Sequence, residues 1–504
     1  MRPVDPRAAA LAADARTAWS AGDSGRARRL ALAALALDAS EPAALNVLGG
    51  IAFVDGSLDE AQARFEAALA SDAGFARARF NLGLVALQRG AREAAEALMS
   101  GALESGGDAD DWLLLGNVRS ELGLADAAIA AWHAAVEADC ACLPAWVNAG
   151  SALRAAGRFA EATGALEHAV ALAPDNAVLR NELGLALHGE GRVAAAAEQF
   201  RAAWSRAEPQ PEAGINLADS LRVLGRPGEA REVLAAVTRL RPQDGRVHKA
   251  LGLLALSTGA RDEAAGHYRR AAALLPEDAE VAHLLAAAEG RPVDSAPAQY
   301  VARLFDDFAP RFDLELTRDL DYRIPEELAA LLRATLLPGT CGLRVADLGC
   351  GTGLVGAALG GLAGRLEGAD LSPRMLAAAS ERNLYARLEC IDLVRFLNEG
   401  PEGRYDLVVC ADVFIYVGRL EASFSAAWRA LAPGGRLAFS LETAPATFEG
   451  QAALQASGRF AHRPGAVRDL ARAIGFATLA WRDTVVRRHN GQPVDGLVAV
   501  LERP

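Results

Sequence analysis

The first half of the chain repeats with a period of 34 residues, and this period constrains the fold more than any other feature of the sequence. Each period holds a glycine between two Ala- and Leu-rich segments of helical spacing, which predicts two helices joined by a short turn. One such unit cannot bury its apolar face alone, so the units must stack. The recurring glycines are Gly22, Gly56, Gly90, Gly123, Gly157, Gly191, Gly225 and Gly259.

Two further positions recur within each period. An alanine follows each glycine after five residues, at Ala27, Ala61, Ala95, Ala128, Ala162, Ala196, Ala230 and Ala264. A larger apolar residue follows four residues later, at Phe65, Met99, Trp132, Leu166, Phe200, Leu234 and Tyr268. The small residue lets two helices approach each other, and the larger one fills the space between neighbouring units.

This helix–turn–helix unit resembles the tetratricopeptide repeat. Leu-Gly pairs fit the first helix of that family at 48–49, 82–83, 115–116, 183–184 and 251–252, and prolines stand where its second helix often ends, at Pro174, Pro242 and Pro276. The resemblance implies an all-α superhelix with a concave groove. It implies eight repeats over about residues 8–278 and a capping helix from Ala279 to Glu289, which together form a domain over 1–289.

Asparagines recur on the predicted groove side of the repeats. Asn81, Asn148 and Asn216 share one offset from the Leu-Gly position, and Asn117 lies nearby. This pattern resembles the asparagine ladder of the protein O-GlcNAc transferase repeats, which implies a protein or peptide partner in the groove. Asparagine is also common at this position in tetratricopeptide repeats generally, so a structural role stays open.

A different pattern begins after a Pro-rich connector over 290–297. A short apolar strand from Leu343 to Leu348 ends in a turn containing Gly349, Gly351 and Gly353, and an Ala- and Leu-rich helix follows. Such a turn lets a ligand approach the backbone closely, with the first amides of the helix facing it. The spacing of glycines over 351–356 also matches the dinucleotide fingerprint, so the turn alone leaves two classes of ligand open.

Four acids stand at or near the ends of predicted strands in this region: Asp347, Asp370, Asp392 and Asp412. A carboxylate at Asp347 can accept a hydrogen bond from a cationic amino group. Asp370 is placed to bind ribose hydroxyls, and Asp392 to bind an adenine amino group. Each acid could instead cap a strand end or a turn.

The ordered motifs DLGCGTG, GADLS, IDL, YDLVVCADV and LAPGGRLAFS resemble the class I S-adenosylmethionine-dependent methyltransferases. The resemblance implies a Rossmann-like, doubly wound α/β domain over 298–504 with S-adenosylmethionine as its cofactor. It assigns the methionine portion to Asp347, Gly349, Gly351 and Gly353, the ribose to Asp370, and the adenine to Asp392 and Leu393. The remaining expected cofactor contacts are Cys350, Leu371, Met375 and Asp412.

Aromatic residues concentrate at the start of this domain, in the segments 300–313 and 320–326. The first segment resembles one in the ubiquinone-biosynthesis and biotin-pathway methyltransferases that packs over the bound cofactor. Phe308 and Phe312 would then cover the sulfonium, since an aromatic face attracts a cation. The same aromatics could simply pack a helix on the sheet. The region 300–504 as a whole is similar to a group of bacterial predicted methyltransferases that carry tetratricopeptide repeats.

The candidates for the acceptor side of the reaction are His462, Tyr416 and Tyr322. His462 lies after the fifth predicted strand, where this fold usually builds its acceptor pocket, and a histidine titrates in the range that suits proton removal. A histidine that braces a loop is the alternative. The fourth strand does not end in Asn-Pro-Pro-Tyr, so methylation of a planar amine is not supported. No metal site is predicted.

Charge and composition limit the partners. A net charge of -12 disfavours general nucleic-acid binding. The chain has no apolar run near the ~20 residues of a membrane span and no signal-peptide core, which predicts a cytoplasmic protein. We expect an enzyme whose repeats recruit a protein or peptide for methylation. The alternatives are a small-molecule methyltransferase whose repeats mediate assembly, and a scaffold with a non-catalytic cofactor domain.

Overall fold

A computed structural model of the chain describes residues 5–104, 106–206, 210–309, 312–314, 316, 322–445, 447–489 and 492–504, with only the backbone at 307, 314 and 489. The chain divides into two compact units, Met1–Ala186 and Leu187–Pro504. The division falls inside the repeats, where each unit of a stacked array contacts only its neighbours. The domain boundary at 290–297 stays a prediction.

Antiparallel helix pairs build the first unit, one pair for each 34-residue period. The turn glycines between the paired helices adopt left-handed φ angles, from 70° to 81° over all eight repeats, which an L-residue rarely adopts. The helices are α1 (Pro6–Ser20), α2 (Ser24–Leu37), α3 (Pro42–Val54), α4 (Leu58–Ser71), α5 (Ala76–Gln88), α6 (Arg92–Leu103), α7 (Ala109–Glu121), α8 (Ala125–Ala138), α9 (Leu143–Ala155) and α10 (Phe159–Leu172). Helix α11 (Ala177–Gly189) crosses the division.

The recurring small and large residues form the core of the repeats, as the spacing predicts. Every alanine of the periodic set is fully buried, and the larger residues of the set are buried as well. In four of the Leu-Gly pairs, the glycine faces the large residue of the partner helix: Gly49, Gly83, Gly116 and Gly252. In the pair α7 and α8, a Cβ on Gly116 would lie 2.5 Å from the Trp132 ring, so the helices approach closely only because that Cβ is absent.

Gly116→Ala is therefore expected to destabilise the first unit by about 1–3 kcal/mol, because the added methyl overpacks a filled site. The matched control is Gly164→Ala in α10, where no atom lies within 4 Å of the added Cβ. That change should be neutral or stabilising by up to about 1 kcal/mol, since alanine favours helix. Urea unfolding of the full chain followed by tryptophan fluorescence measures both. Equal effects of the two substitutions would contradict the packing argument.

The second unit begins with the remaining repeat helices, α12 (Val193–Trp204), α13 (Pro211–Val223), α14 (Pro227–Leu240), α15 (Gly245–Ser257), α16 (Arg261–Leu274) and α17 (Ala279–Glu289). Helix α17 covers the residues predicted for the capping helix. It begins at Asp278, whose side chain accepts hydrogen bonds from the amides of Glu280 and Val281, and it ends at Gly290 with a φ of 68°.

An α/β fold follows. Its helices are α18 (Ala298–Phe308), α19 (Phe312–Leu314), α20 (Ile324–Thr335), α21 (Leu354–Leu359), α22 (Pro373–Glu381), α23 (Leu393–Asn398), α24 (Glu421–Ala430) and α25 (Pro464–Ile474). Its strands are β1 (Leu343–Leu348), β2 (Ala363–Asp370), β3 (Arg387–Cys390), β4 (Tyr405–Cys410), β5 (Leu431–Glu442), β6 (Ala452–Leu454), β7 (Phe460–His462), β8 (Ala477–His489) and β9 (Gln492–Glu502).

Seven strands form one sheet in the order β3-β2-β1-β4-β5-β9-β8. The strands β1 to β5 are parallel, and β9 and β8 are antiparallel at one edge. The strand order reverses between β1 and β4, and in open α/β sheets ligands bind at the carboxyl ends of the strands at this point. The predicted fold class, an all-α repeat array followed by a doubly wound α/β domain, is confirmed.

Apolar side chains cover both faces of this sheet. Over the described ranges, none of the helices combines the length and the apolar character needed to cross a lipid bilayer.

Candidate active site

A cavity of about 460 Å³ opens at the carboxyl ends of β1, β2 and β4. It therefore lies where the fold predicts a ligand. Of the residues singled out in the sequence, those that line it are Phe308, Phe312, Tyr322, Gly349, Cys350, Gly351, Asp370, Leu371, Asp392, Leu393, Asp412 and Tyr416. Asp347, Gly353, Met375 and His462 are not among the lining residues.

Asp347 is a fully buried carboxyl two residues before the glycine turn. Its Oδ2 accepts a hydrogen bond from the Tyr385 hydroxyl at 2.7 Å, while its Oδ1 has no partner among the described residues. Burial raises the pKa of Asp347 to about 7, although the Tyr385 hydrogen bond opposes this rise. A buried carboxylate oxygen without a partner is costly unless a cationic or hydrogen-bonding group reaches it.

The glycine turn is shaped by close contact with a neighbouring loop. Gly349 has a φ of 63°, and a Cβ at this position would lie 2.3 Å from a methyl group of Val413. The amides of Gly349 and Cys350 donate to the carbonyl of Ala369 at 2.7 and 3.1 Å. These two amides are therefore paired within the turn. The sequence predicts that the amides at the start of the following helix face a ligand, and this stays a prediction for α21, which spans Leu354–Leu359.

Asp370 and Asp392 each accept hydrogen bonds from backbone amides and also line the cavity. Asp370 accepts from the Gly351 amide and the Ser372 amide, each at 2.9 Å, and so fixes the turn between β1 and α21. Burial raises its pKa. Asp392 caps α23 through one oxygen, which accepts from the Val394 amide at 2.9 Å. The capping roles considered for these acids are present, and each side chain also lines the cavity.

Met375, an expected cofactor contact, is not among the residues that line the cavity. Its side chain is fully buried on the inner face of α22, and its amide donates to the Ser372 hydroxyl. The helical turn after β2 directs this side chain into the core, so the geometry favours a packing role. Gly353 begins α21 with a φ of 90° and donates its amide to the Cys350 carbonyl.

Helices α18 and α19 are each hydrogen-bonded beside the cavity through one aspartate. Asp306 accepts from the Ser372 hydroxyl at 2.5 Å, and Asp313 accepts from the Thr352 hydroxyl at 2.5 Å. The rings of Phe308 and Phe312 meet edge to face, 5.4 Å apart, and both line the cavity. Residues 310–311 and 320–321 of the two aromatic segments lie outside the described residues.

The Pro-rich connector forms one wall of the site. The Ala296 amide donates to the Tyr416 carbonyl at 2.9 Å, and Ser295 forms a β-bridge with Val417. Ser295, Ala296 and Pro297 all line the cavity. Although the composition of this segment is typical of a linker, the segment is hydrogen-bonded to the α/β fold.

Two arginines and two acids form a charged group at the end of β4. Arg487 is buried and contacts Asp412, at 3.3 Å, and Glu442. Asp412 has a left-handed φ of 56°, which the Ser440 hydroxyl supports by accepting from its amide and donating to its carboxylate. Arg459 lies beside Tyr416 and lines the cavity.

His462 does not lie in the cavity. It is buried, and its Nε2–H donates to the Phe414 carbonyl at 3.0 Å. Burial lowers its pKa, so the ring stays neutral. The insert after β5 folds back as β7 onto the loop that contains Phe414, and the geometry therefore favours the loop-bracing role over the predicted role as a base.

The groove asparagines of the first unit bond to one another. The Asn81 amide donates to the Asn46 side chain at 2.9 Å, and the Asn148 amide donates to the Asn117 oxygen at 2.9 Å. That oxygen also accepts from the Trp132 indole at 3.1 Å. In the second unit, Asn216 lies half-buried on α13. Contact of these residues with a peptide stays a prediction.

Sequence reasoning missed Arg459, Arg487 and Glu442, and also His283 of α17. The Nε2–H of His283 donates to the Gly458 carbonyl at 2.8 Å. None of these residues stands in a recognisable spacing, because each reaches the site from a different element. Arg487 is one of the two buried residues described in β8, and a buried arginine needs acidic partners.

Comparison with known proteins assigns both halves of the chain. A family model described as "Methyltransferase domain" matches residues 346–437. Models of the tetratricopeptide repeat match residues 13–62, 56–110, 113–177, 147–211 and 187–254. The chain thus combines tetratricopeptide repeats with a methyltransferase domain, which confirms the combination predicted from the sequence.

Curated relatives match the methyltransferase part. The Ubiquinone biosynthesis O-methyltransferase of Xanthomonas oryzae pv. oryzae (strain PXO99A) is 32% identical over 111 residues, which are 21% of this chain and 46% of the relative. The Biotin biosynthesis bifunctional protein BioCD of Bordetella avium is 32% identical over 150 residues, 29% of this chain and 30% of the relative. The chain spans about half the length, or less, of these relatives.

Solved structures resemble each half separately. YrrB, titled "a TPR protein with an unusual peptide-binding site", aligns with a TM-score of 0.32 and 23% identity, over 37% of this chain and 96% of that one. The magnesium protoporphyrin IX methyltransferase of Synechocystis PCC 6803 with bound SAM aligns with a TM-score of 0.28 and 22% identity, over 39% of this chain and 83% of that one.

Proposed function

We propose that this chain is an S-adenosylmethionine-dependent methyltransferase that methylates a small molecule held in the cavity beside α18, while its repeats bind a protein partner. The observation that carries the cofactor assignment is Asp347, a buried carboxyl beside the glycine turn whose Oδ1 has no partner among the described residues. The α-ammonium group of S-adenosylmethionine is a cation of the kind that this oxygen needs.

The charge of the cavity supports this cofactor over a dinucleotide. Asp370 and Asp392 line its cofactor side and Asp347 lies behind the turn, while the charge of Asp412 is paired with Arg487. These carboxylates attract a ligand that carries a sulfonium and an ammonium group, whereas they would repel a pyrophosphate. The amides of Gly349 and Cys350, which could bind a phosphate, donate to Ala369 instead.

In this proposal each residue of the site holds one part of the cofactor. Asp347 holds the ammonium group, Asp370 the ribose hydroxyls, and Asp392 with Leu393 the adenine. Gly349, Gly351 and Gly353 give the backbone the shape that admits the methionine portion, and Phe308 with Phe312 exclude water. The bound cofactor supplies an electrophilic methyl carbon, and positioning contributes roughly 7–11 kcal/mol toward such a displacement.

The walls of the cavity support a small-molecule acceptor. Val301, Leu304, Phe305 and Ile415 line it, so its surface is mainly apolar and aromatic. Sites of this kind surround most of a small ligand. A protein or peptide acceptor recruited by the repeats is the second candidate. The asparagines predicted to face the groove of the repeats support it.

Transfer of a labelled methyl group distinguishes the two acceptors. The full chain would be incubated with S-adenosylmethionine tritiated in the methyl group and a bacterial lysate, and the products would be separated by size. Label in the small-molecule fraction supports the proposal, and label mainly in protein supports the second candidate. A chain carrying Asp347→Asn is the control for label introduced by enzymes of the lysate.

Cofactor binding should depend on pH through Asp347. Since burial raises the pKa of this group to about 7, an ammonium ligand meets a neutral carboxyl at lower pH. We expect the affinity for S-adenosylhomocysteine to fall by up to about tenfold for each pH unit below this value. Calorimetry between about pH 5.5 and pH 8.5 measures the slope.

Two variants test the origin of this slope. Tyr385→Phe removes the hydrogen bond that lowers the pKa of Asp347, so the profile should move to higher pH. Asp347→Asn should abolish the slope. The free energy of unfolding of the ligand-free protein should instead fall as pH rises from about 4 to about 7. Over this range the folded state binds one more proton than the unfolded state, because the carboxyl of Asp347 stays protonated only in the folded state. A slope that persists in Asp347→Asn would assign the titration to another group.

A further inference from the structure

Arg459 is a cation in the cavity wall without an acidic partner. It lies in the turn between β6 and β7, beside Tyr416, and is half-buried in the cavity wall. Among the described residues, no carboxylate comes within ion-pair distance of its guanidinium. The exposed surface of Arg459 therefore faces the cavity, where a ligand can meet it.

The acids near Arg459 are already paired with another arginine, Arg487. Asp412 and Glu442 both contact the Arg487 guanidinium. They act on Arg459 only from a distance. Burial disfavours the charge on Arg459, but Tyr416, Glu442 and Asp412 together raise its pKa above the ordinary value. Arg459 thus remains a cation, and its planar group offers several N–H donors to a ligand.

The loop that carries Arg459 is fixed from two directions. The Nε2–H of His283 donates to the carbonyl of Gly458 at 2.8 Å, and the Gln455 amide donates to the carbonyl of Arg459 at 2.8 Å. The next residue, Phe460, is buried at the start of β7. A charged side chain held in place by the backbone on each side is preorganised for a ligand and does not need to be ordered on binding.

We propose, on the premise of the methyl transfer proposed above, that the acceptor is a carboxylate on an apolar body and that Arg459 binds this carboxylate. A guanidinium in an enclosed, mainly apolar cavity is stable when an anion completes its hydrogen bonds, and its fork matches a carboxylate. Val301, Leu304 and Ile415 contact the apolar body.

The test uses paired ligands that differ only in charge. The probes are acetate, butyrate, hexanoate, octanoate, benzoate and phenylacetate, each compared with its primary amide. Binding to the full chain saturated with S-adenosylhomocysteine would be measured by ligand-observed NMR titration. At least one of the longer or aromatic carboxylates should bind about tenfold or more tightly than its amide, as expected of a hydrogen bond to a charged group.

Substitutions test whether Arg459 causes the preference for a carboxylate over its amide. Arg459→Gln should abolish it, and Arg459→Lys should keep part of it because the charge remains. The matched control is Arg463→Gln, which removes an exposed arginine four residues further along the chain and should keep the full preference. Thermal unfolding of each variant, with and without S-adenosylhomocysteine, verifies that the fold is intact.

The outcomes separate this inference from the proposed function. If S-adenosylhomocysteine binds and the wild-type chain does not distinguish any carboxylate from its amide, the acceptor assignment is wrong and the methyltransferase proposal stands. The assignment is equally wrong if Arg459→Gln and Arg459→Lys both keep the full preference. If S-adenosylhomocysteine itself does not bind, the proposed function fails first.

Discussion

Asp347→Asn is expected to weaken the binding of S-adenosylhomocysteine by about 100-fold or more. The substitution keeps the size of the side chain and removes the charge that would pair with the ligand's ammonium group. Removal of one partner from a buried ion pair costs about 3–5 kcal/mol, and 1.4 kcal/mol corresponds to a factor of ten in affinity. Isothermal calorimetry with the full chain above the pKa of Asp347 measures the effect.

A smaller ligand provides the control for Asp347→Asn. 5′-Methylthioadenosine has the adenosine and sulfur of S-adenosylhomocysteine but lacks its amino-acid portion, so its affinity should be almost unchanged. The free energy of unfolding should not fall, because the asparagine replaces a carboxyl whose burial is unfavourable. An equal loss for both ligands would show that the substitution distorts the turn, and the ammonium role of Asp347 would then be wrong.

Arg487→Met is expected to lower the free energy of unfolding of the second unit by about 3–5 kcal/mol. The methionine fills much of the same space but leaves Asp412 and Glu442 without the guanidinium that neutralises them. Glu442 is only 2% exposed, so water cannot replace the lost contact. Guanidinium chloride unfolding of the full chain, followed by circular dichroism, measures the change.

A double substitution tests whether unpaired charge causes this loss. Arg487→Met combined with Glu442→Gln removes one of the two stranded carboxylates, so it should recover a substantial part of the stability. The deficit of Arg487→Met alone should also shrink at acidic pH, where the remaining carboxyls are protonated. Additive losses in the double variant would contradict the electrostatic account and would indicate that Arg487 acts through packing.

The repeats could be predicted from the sequence because their interactions are local. The position of Gly56 within its period fixes a turn that needs a left-handed φ, and Ala61 and Phe65 are separated by about one helical turn. Contacts that form within one period therefore follow from spacing alone. The same reasoning could not reveal that Asn117 accepts from both Trp132 and Asn148, since hydrogen bonding among neighbouring polar groups depends on the packed geometry.

The cofactor side of the cavity was partly predictable for a related reason. Asp347 and Asp370 each stand beside a strand end, and parallel strands bring those ends to one edge of the sheet. Their order in the sequence therefore predicts their proximity in space. Met375 shows the limit of this reasoning, because the rotation of α22 places its side chain in the core.

The sequence by itself determined the helix–turn–helix units, the parallel sheet and the acidic, glycine-rich edge, because each follows from periodicity or from strand ends. Only the tertiary structure decided which residues lie on the acceptor side of the cavity. It joins Arg459 from the β6–β7 turn, Arg487 from β8 and Tyr416 from the loop after β4, and it places His462 outside the cavity. These residues are distant in sequence, and no local propensity specifies which buried charges will meet when the chain closes around them.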